Sequence, residues 1–269
     1  MAELVEIIDP MDPRLDDFRD LTVADRRPDR PGGRGLVIAE GVVVVQRLLA
    51  SPYPIRSLLG VRRRYHELAG DLADVAVPYY CASAEVMAQA VGFHLNRGVL
   101  ATADRVQFAD AGSLLARSHT VAVLEGIGDH ENMGSIFRNA AALGVDAVLL
   151  AEGCADPLYR RSVRVSMGNV FKVPFAVLHG WVDDACSMLH AHGFTIAALS
   201  PAADAMPLFT AGLAGARVAL LLGSEGPGLT DQSIAASDIR VQIPMADGVD
   251  SLNVATAGAI AFAAVARQR

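Results

Sequence analysis

Cysteine is scarce and scattered in this chain. There are three, Cys81, Cys154 and Cys186, an odd number with no CxxC and no mixed His/Cys spacing, which excludes a disulfide framework and a zinc cluster. They read as reduced, mostly buried small hydrophobes. Long apolar runs are missing as well: none approaches the roughly 18 uninterrupted residues that cross a bilayer. The acidic opening MAELVEIIDPMDPRLDDF has no signal-peptide core, so a cytoplasmic protein without a membrane segment is expected. Positive charge is in short supply, and the net charge of −7 argues against coating nucleic acid by charge alone, because counterion release rewards dense Lys and Arg. No internal repeat or low-complexity tract occurs.

What is present is a globular balance, 52% hydrophobic and 20% charged over 269 residues, enough for one large α/β domain or two smaller ones. Basic residues gather locally at Arg26–Arg34, at Arg62-Arg63-Arg64, and around Arg160, Arg161 and Arg164. After a polar, acidic stretch and the Gly/Pro loop Pro28–Gly35, strand-like and helix-like segments alternate to about residue 106. They run from a strand at Leu36–Ala39 to a closing strand within 99–106. Residues 107–120 have weaker periodicity and are expected to connect this unit, 1–106, to a second, 121–269. The second unit carries apolar runs at 121–126, 146–152, 173–178, 195–200 and 217–223, separated by amphipathic stretches, the pattern of a mostly parallel sheet covered on both faces. The Ala-rich segment from Leu252 onward reads as a final helix with a basic end that suits its dipole.

Three segments place polar residues at the ends of strands, where ligands bind in open α/β sheets. The first, GIGDHENMGSIFRNAAALGVDAVLL (126–150), predicts a helix beginning near Gly134, with Asn132 just before it and Arg138 about one turn inside. The second, LLLGSEGPGL (220–229), sets Glu225 among glycines whose backbone can approach a ligand closely; a plain turn would explain the glycines without the carboxylate. The third, IPMADGVDSLNVATAGAIAFAA (243–264), leads from a strand end into a helix, with Ser251 as its simplest N-cap and Asn253 in its first turn, where its helix propensity is poor.

Together and in this order, these three segments resemble the three sequence motifs of the SpoU (TrmH) branch of the SPOUT methyltransferases, over roughly residues 120–267. RSVRVSMGNVFKVP (161–174) resembles the stretch that the family carries between its first two motifs, and RGLVIAEGVVVVQRLL (34–49) looks like the opening of the small ribosomal-protein-like α/β domain that precedes the catalytic domain in many members. The resemblance implies a sheet with a C-terminal trefoil knot, a homodimer whose partner helps complete the site, and transfer of a methyl group from S-adenosylmethionine to a ribose 2′-hydroxyl of RNA, ribosomal RNA ahead of transfer RNA. It implies a cofactor pocket built from Leu222, Gly223, Glu225, Gly226, Ile243, Pro244, Ser251, Leu252 and Asn253. Arg138, Asn132, Glu225 and Asn253 become the candidate catalytic residues, and Arg138, Arg164 and Arg34 the candidate RNA contacts. The family's proposed general base matches Arg138, but a guanidinium is very hard to deprotonate, and stabilising a developing alkoxide while gripping a phosphate suits it better. The chain departs from the family at Asp129-His130, where many members have Asp-Pro.

Two other readings stay open at this level. A dinucleotide-binding βαβ unit would use Glu152 on a ribose, but glycines 126, 128 and 134 miss the GxGxxG spacing. A catalytically inactive RNA-binding scaffold would leave the joint presence of Asn132, Arg138, Glu225, Ser251 and Asn253 without a purpose. No residue spacing suggests a metal.

Overall fold

A computed structural model describes residues 2–21, 35–107, 109–202 and 204–266. The chain divides into two compact units, the first comprising the described residues up to Gln107 together with Leu158–Phe171, the second the remainder.

In the first unit five strands form one sheet in the order β1-β4-β3-β5-β2. Their ranges are β1 Glu3–Glu6, β2 Val37–Glu40, β3 Ile55–Gly60, β4 Pro78–Cys81 and β5 Val99–Ala103, with helices α1 (Val42–Leu49), α2 (Arg62–Glu67) and α3 (Ala84–Val91) between them. The polar opening of the chain hides an edge strand: β1 runs parallel to β4, and the short turn of helix Pro13–Phe18 behind it buries Leu15 and Phe18. Strand β5 lies inside the sheet, antiparallel to both β3 and β2. The expected loop at 28–34, with Arg34, falls outside the described residues, as does the basic end of the last helix.

The second unit is built on a seven-stranded sheet, β10-β12-β9-β11-β6-β7-β8. Its strands are β6 Thr120–Leu124, β7 Ala147–Leu150, β8 Phe175–Val177, β9 Thr195–Leu199, β10 Met206–Pro207, β11 Val218–Leu222 and β12 Ile239–Gln242. Every pairing is parallel, and β6, β7 and β11 are buried along their whole length, as an apolar run covered on both faces must be. The helices are α4 (Ala111–Arg117), α5 (His130–Leu143), α6 (Arg160–Val165, which groups with the first unit), α7 (Asp183–Ala191), α8 (Asp231–Ala235) and α9 (Val254–Val265). The stretch 107–120 therefore contains a helix, and its Leu114 and Leu115 are part of the second unit's core. Seven residues of helix with two core contacts give too short a period to stand out in the sequence.

The segment Leu158–Phe171 is held in the first unit by polar bonds. Arg160 Nη1 lies 3.5 Å from the buried carboxylate of Glu40 and its guanidinium stacks 4.8 Å from the Phe93 ring, while Arg47 Nη1 donates to the Met167 carbonyl at 2.6 Å. Arg164 is half-buried on α6.

Candidate active site

Strand β6 ends at Leu124, and five residues later Asp129 starts α5. Its carboxylate accepts from the backbone N–H of Glu131 at 2.8 Å and of Asn132 at 2.9 Å, satisfying two donors that a helix start leaves open. The helix thus begins at His130, four residues earlier than the sequence suggested, and Asn132 sits inside its first turn rather than ahead of it. Arg138 is accordingly two turns in. Six residues beyond Asn132 places it about 9 Å further along the axis and roughly 120° around it; it is exposed, with neither hydrogen bond nor ion pair among the described residues. His130 stands at the first helical position, which tolerates the family's proline equally well, and the Asp129 cap supplies the rigidity of this turn.

Strand β11, next to β6, runs out at Leu222 into Gly223-Ser224-Glu225-Gly226-Pro227-Gly228. Ser224 and Gly228 pair across a tight turn, with Gly228 N donating to the Ser224 carbonyl at 3.1 Å and Ser224 Oγ to the Gly228 carbonyl at 3.2 Å. Gly223 has no alternative here, because a Cβ would overlap the backbone of Gly228 and Leu229. Below the turn, the buried Glu125 carboxylate accepts from Thr230 N at 3.3 Å.

The third element is α9. Its N-cap is Asn253, not Ser251: Asn253 Oδ1 accepts from Ala255 N at 3.0 Å and from Thr256 N at 3.2 Å. That cap fixes which end of the amide is oxygen, so Nδ2 must face the other way. It donates to Asn132 Oδ1 at 2.8 Å and to Glu225 Oε1 at 3.0 Å, and Asn132 Nδ2 donates to the same Glu225 oxygen at 2.7 Å. Three residues 93 and 28 positions apart along the chain close one hydrogen-bonded ring. Asn139 Nδ2, donating to the Ala255 carbonyl at 2.9 Å, ties α5 to α9 beside it.

The ring borders a cleft of about 390 Å³, within the roughly 300–1,000 Å³ of small-molecule sites. Leu222, Gly223, Glu225, Gly226, Ile243, Ser251, Leu252 and Asn253 line it, as the sequence had singled them out; Pro244 is exposed and does not, and neither Asn132 nor Arg138 is in the lining. The sequence reading missed Leu199, Ser200 and Pro201. Leu199 ends β9 and Ser200 and Pro201 follow it; β9 borders β11, and only the strand order, unreadable from a linear pattern, brings that strand end to the cleft. Met245 lines it too. Its lining combines apolar side chains (Leu199, Leu222, Ile243) with the backbone of the 223–228 turn and the Glu225 carboxylate. Behind β6, Cys154 donates its thiol to the Leu124 carbonyl at 3.1 Å, and burial pushes its pKa up, so it is an inert thiol rather than a nucleophile.

The sequence model of the SpoU rRNA Methylase family matches residues 119–263, the span of sheet and cleft just described. The chain belongs to the SpoU rRNA methylase family. Within the SpoU proteins it is 56% identical, over 97% of its length and 91% of the other's, to an uncharacterised tRNA/rRNA methyltransferase of Mycobacterium tuberculosis. It is 30% identical to the 23S rRNA (guanosine-2′-O-)-methyltransferase RlmB of Vibrio vulnificus, over 65% of this chain and 71% of that one. In three dimensions it resembles an AdoMet-bound rRNA methyltransferase from Sinorhizobium meliloti, with a TM-score of 0.80 at 22% identity, covering 97% of both chains. That likeness establishes the SpoU fold.

Proposed function

We propose that this chain transfers the methyl group of S-adenosylmethionine to a ribose 2′-hydroxyl of RNA, ribosomal RNA in the first place. The observation that carries the reading is the closed ring of Asn132, Glu225 and Asn253 at the mouth of a cleft of cofactor size, in a chain of the SpoU family. The relative in Vibrio vulnificus is named for guanosine 2′-O-methylation of 23S rRNA, and the Sinorhizobium meliloti structure for bound AdoMet.

The residues present suit the cofactor. Leu199, Leu222 and Ile243 offer apolar surface to an adenine, and a Cβ at Gly226 would meet open space so the backbone there is approachable. When bound, the cofactor supplies an activated methyl group on a cationic sulfur. The protein's part is positioning: reacting atoms held in near-attack geometry account for a large share of such a rate. The Asn132–Glu225–Asn253 ring orients the rim of the cleft, and Arg138, with no partner among the described residues, grips the phosphate beside the target ribose and steadies the negative charge that develops on its oxygen.

In this reading residues 1–106 form the RNA-binding domain, with Arg34 and Arg164 on the backbone of the RNA, and residues 121–269 the methyltransferase domain with a knotted C-terminal segment, working as a homodimer. Helix α9 supports the dimer: it is apolar nearly all round, yet Thr256 and Ala263 are exposed. Arg138, outside the lining of its own cleft, suits a residue that completes the cleft of a second copy. The test is methylation, by the purified protein, of RNA extracted from cells lacking it, followed by mapping of the methyl group. A 2′-O-methyl on ribosomal RNA is expected; a methylated base would overturn the ribose assignment.

A further inference from the structure

The ring leaves two atoms uncommitted. Both N–H groups of Asn253 are donated, to Asn132 Oδ1 and Glu225 Oε1, and its oxygen caps α9. Glu225 Oε1 takes two of these bonds. What remains is one N–H of Asn132 and the second carboxylate oxygen of Glu225, Oε2. Two amides that both donate to Oε1 fix the plane of the carboxylate, so Oε2 is a rigidly held acceptor on a solvent-accessible side chain.

Among the described residues, Glu225 is also the only ionisable side chain lining the cleft. A ribose hydroxyl that attacks a methyl group must lose its proton at some stage, and the acceptor must come within hydrogen-bond reach of it. Arg138 cannot accept, being protonated at every accessible pH.

We infer that Glu225 Oε2 is the proton acceptor of the reaction, the Asn132 and Asn253 amides serving to aim it; this rests on the proposed ribose methylation. The ribose hydroxyl gives its proton to Oε2 as its oxygen forms a bond to the methyl carbon; the carbon–sulfur bond breaks with its electron pair staying on sulfur, and Glu225 then releases the proton to water.

Glu225→Gln is the discriminating variant. Its amide oxygen can still accept from Asn132 and Asn253, so the ring and the fold survive, but it cannot take up a proton. The assays are cofactor binding by titration calorimetry, RNA binding by filter retention, the melting temperature, and single-turnover methyl transfer. The expected result is binding within about threefold of wild type, an unchanged melt, and transfer slower by about 100-fold or more, the usual range for a lost general base. Transfer within about fivefold of wild type would overturn the assignment, and so would a loss of transfer matched by an equal loss of cofactor affinity, which would make Glu225 a binding residue. If the wild-type protein methylates no ribose at all, the proposed function fails along with it. Active wild type with an equally active Gln variant removes only the proton acceptor.

Discussion

At Asn253 a single amide both starts a helix and joins the cleft, and the two duties can be separated. Replacement by Ser keeps an oxygen able to cap α9, so stability should change by no more than about 0.5 kcal/mol, whereas Ala gives up the cap and costs about 1 kcal/mol. Both variants lose the donated bonds to Asn132 and Glu225, and both should lose most methyl transfer, measured with labelled cofactor alongside thermal melts. Arg138→Ala should leave the melt untouched, since the side chain is exposed and makes no ion pair among the described residues, yet reduce turnover by about 100-fold or more if it stabilises the developing charge. A third residue governs pH stability. Tyr79 is fully buried in the first unit, its hydroxyl donating to the Val61 carbonyl at 3.1 Å, and burial, helped by nearby Cys81 and opposed by Arg64, raises its pKa above the ordinary 10.0. The folded state thus holds it neutral after the unfolded chain has begun to ionise. Its contribution is complete below about pH 10 and is lost as pH rises beyond that. Denaturant titrations at pH 9 and pH 11 should show the decline, and Tyr79→Phe should flatten it at the expense of one hydrogen bond, about 1 kcal/mol.

Among the elements, the turn after β11 is the least forgiving. A methyl group at Gly223 would occupy the space of the Gly228 and Leu229 backbone, so Gly223→Ala has to open the turn that carries Glu225. Cofactor affinity measured by calorimetry should fall at least tenfold, whereas Gly226→Ala, where a Cβ meets nothing, pays only for its positive φ of 86°, a strain of about 1 kcal/mol. The turn's chemistry was readable in the sequence because a carboxylate ringed by glycines is hard to explain as a loop alone. The start of α5 was not. Asp129 and Asn132 are both good capping residues, and only the observed bonds to Glu131 N and Asn132 N show that the aspartate caps, which moves Arg138 a full turn deeper into the helix.

For the molecule as a whole, the apolar strands of the second unit announced a parallel sheet, since strands buried on both faces leave continuous Val, Ile and Leu runs. The order of those strands was silent. Because β9 sits beside β11 while β6 lies on the other side, the Leu199–Pro201 turn joins the cleft although nothing in its sequence marks it. Helix α9 gives the prediction at this scale. Ala263 lies on its exposed side, one turn from Ile260 and two from Thr256. Ala263→Arg should leave the fold of one copy intact and drive the proposed homodimer to monomer in sedimentation, with transfer activity lost in parallel.

The sequence alone determined which residue types stand at the strand ends, since backbone-permissive glycines, helix-capping amides and a carboxylate in a turn carry their chemistry with them, and the motif order pointed to the family. Tertiary structure decided which of them meet. Hydrogen bonds act over about 3 Å, and whether Asn132, Glu225 and Asn253 come within that distance depends on α9 packing against α5 and on β11 lying next to β6, pairings that local periodicity does not encode.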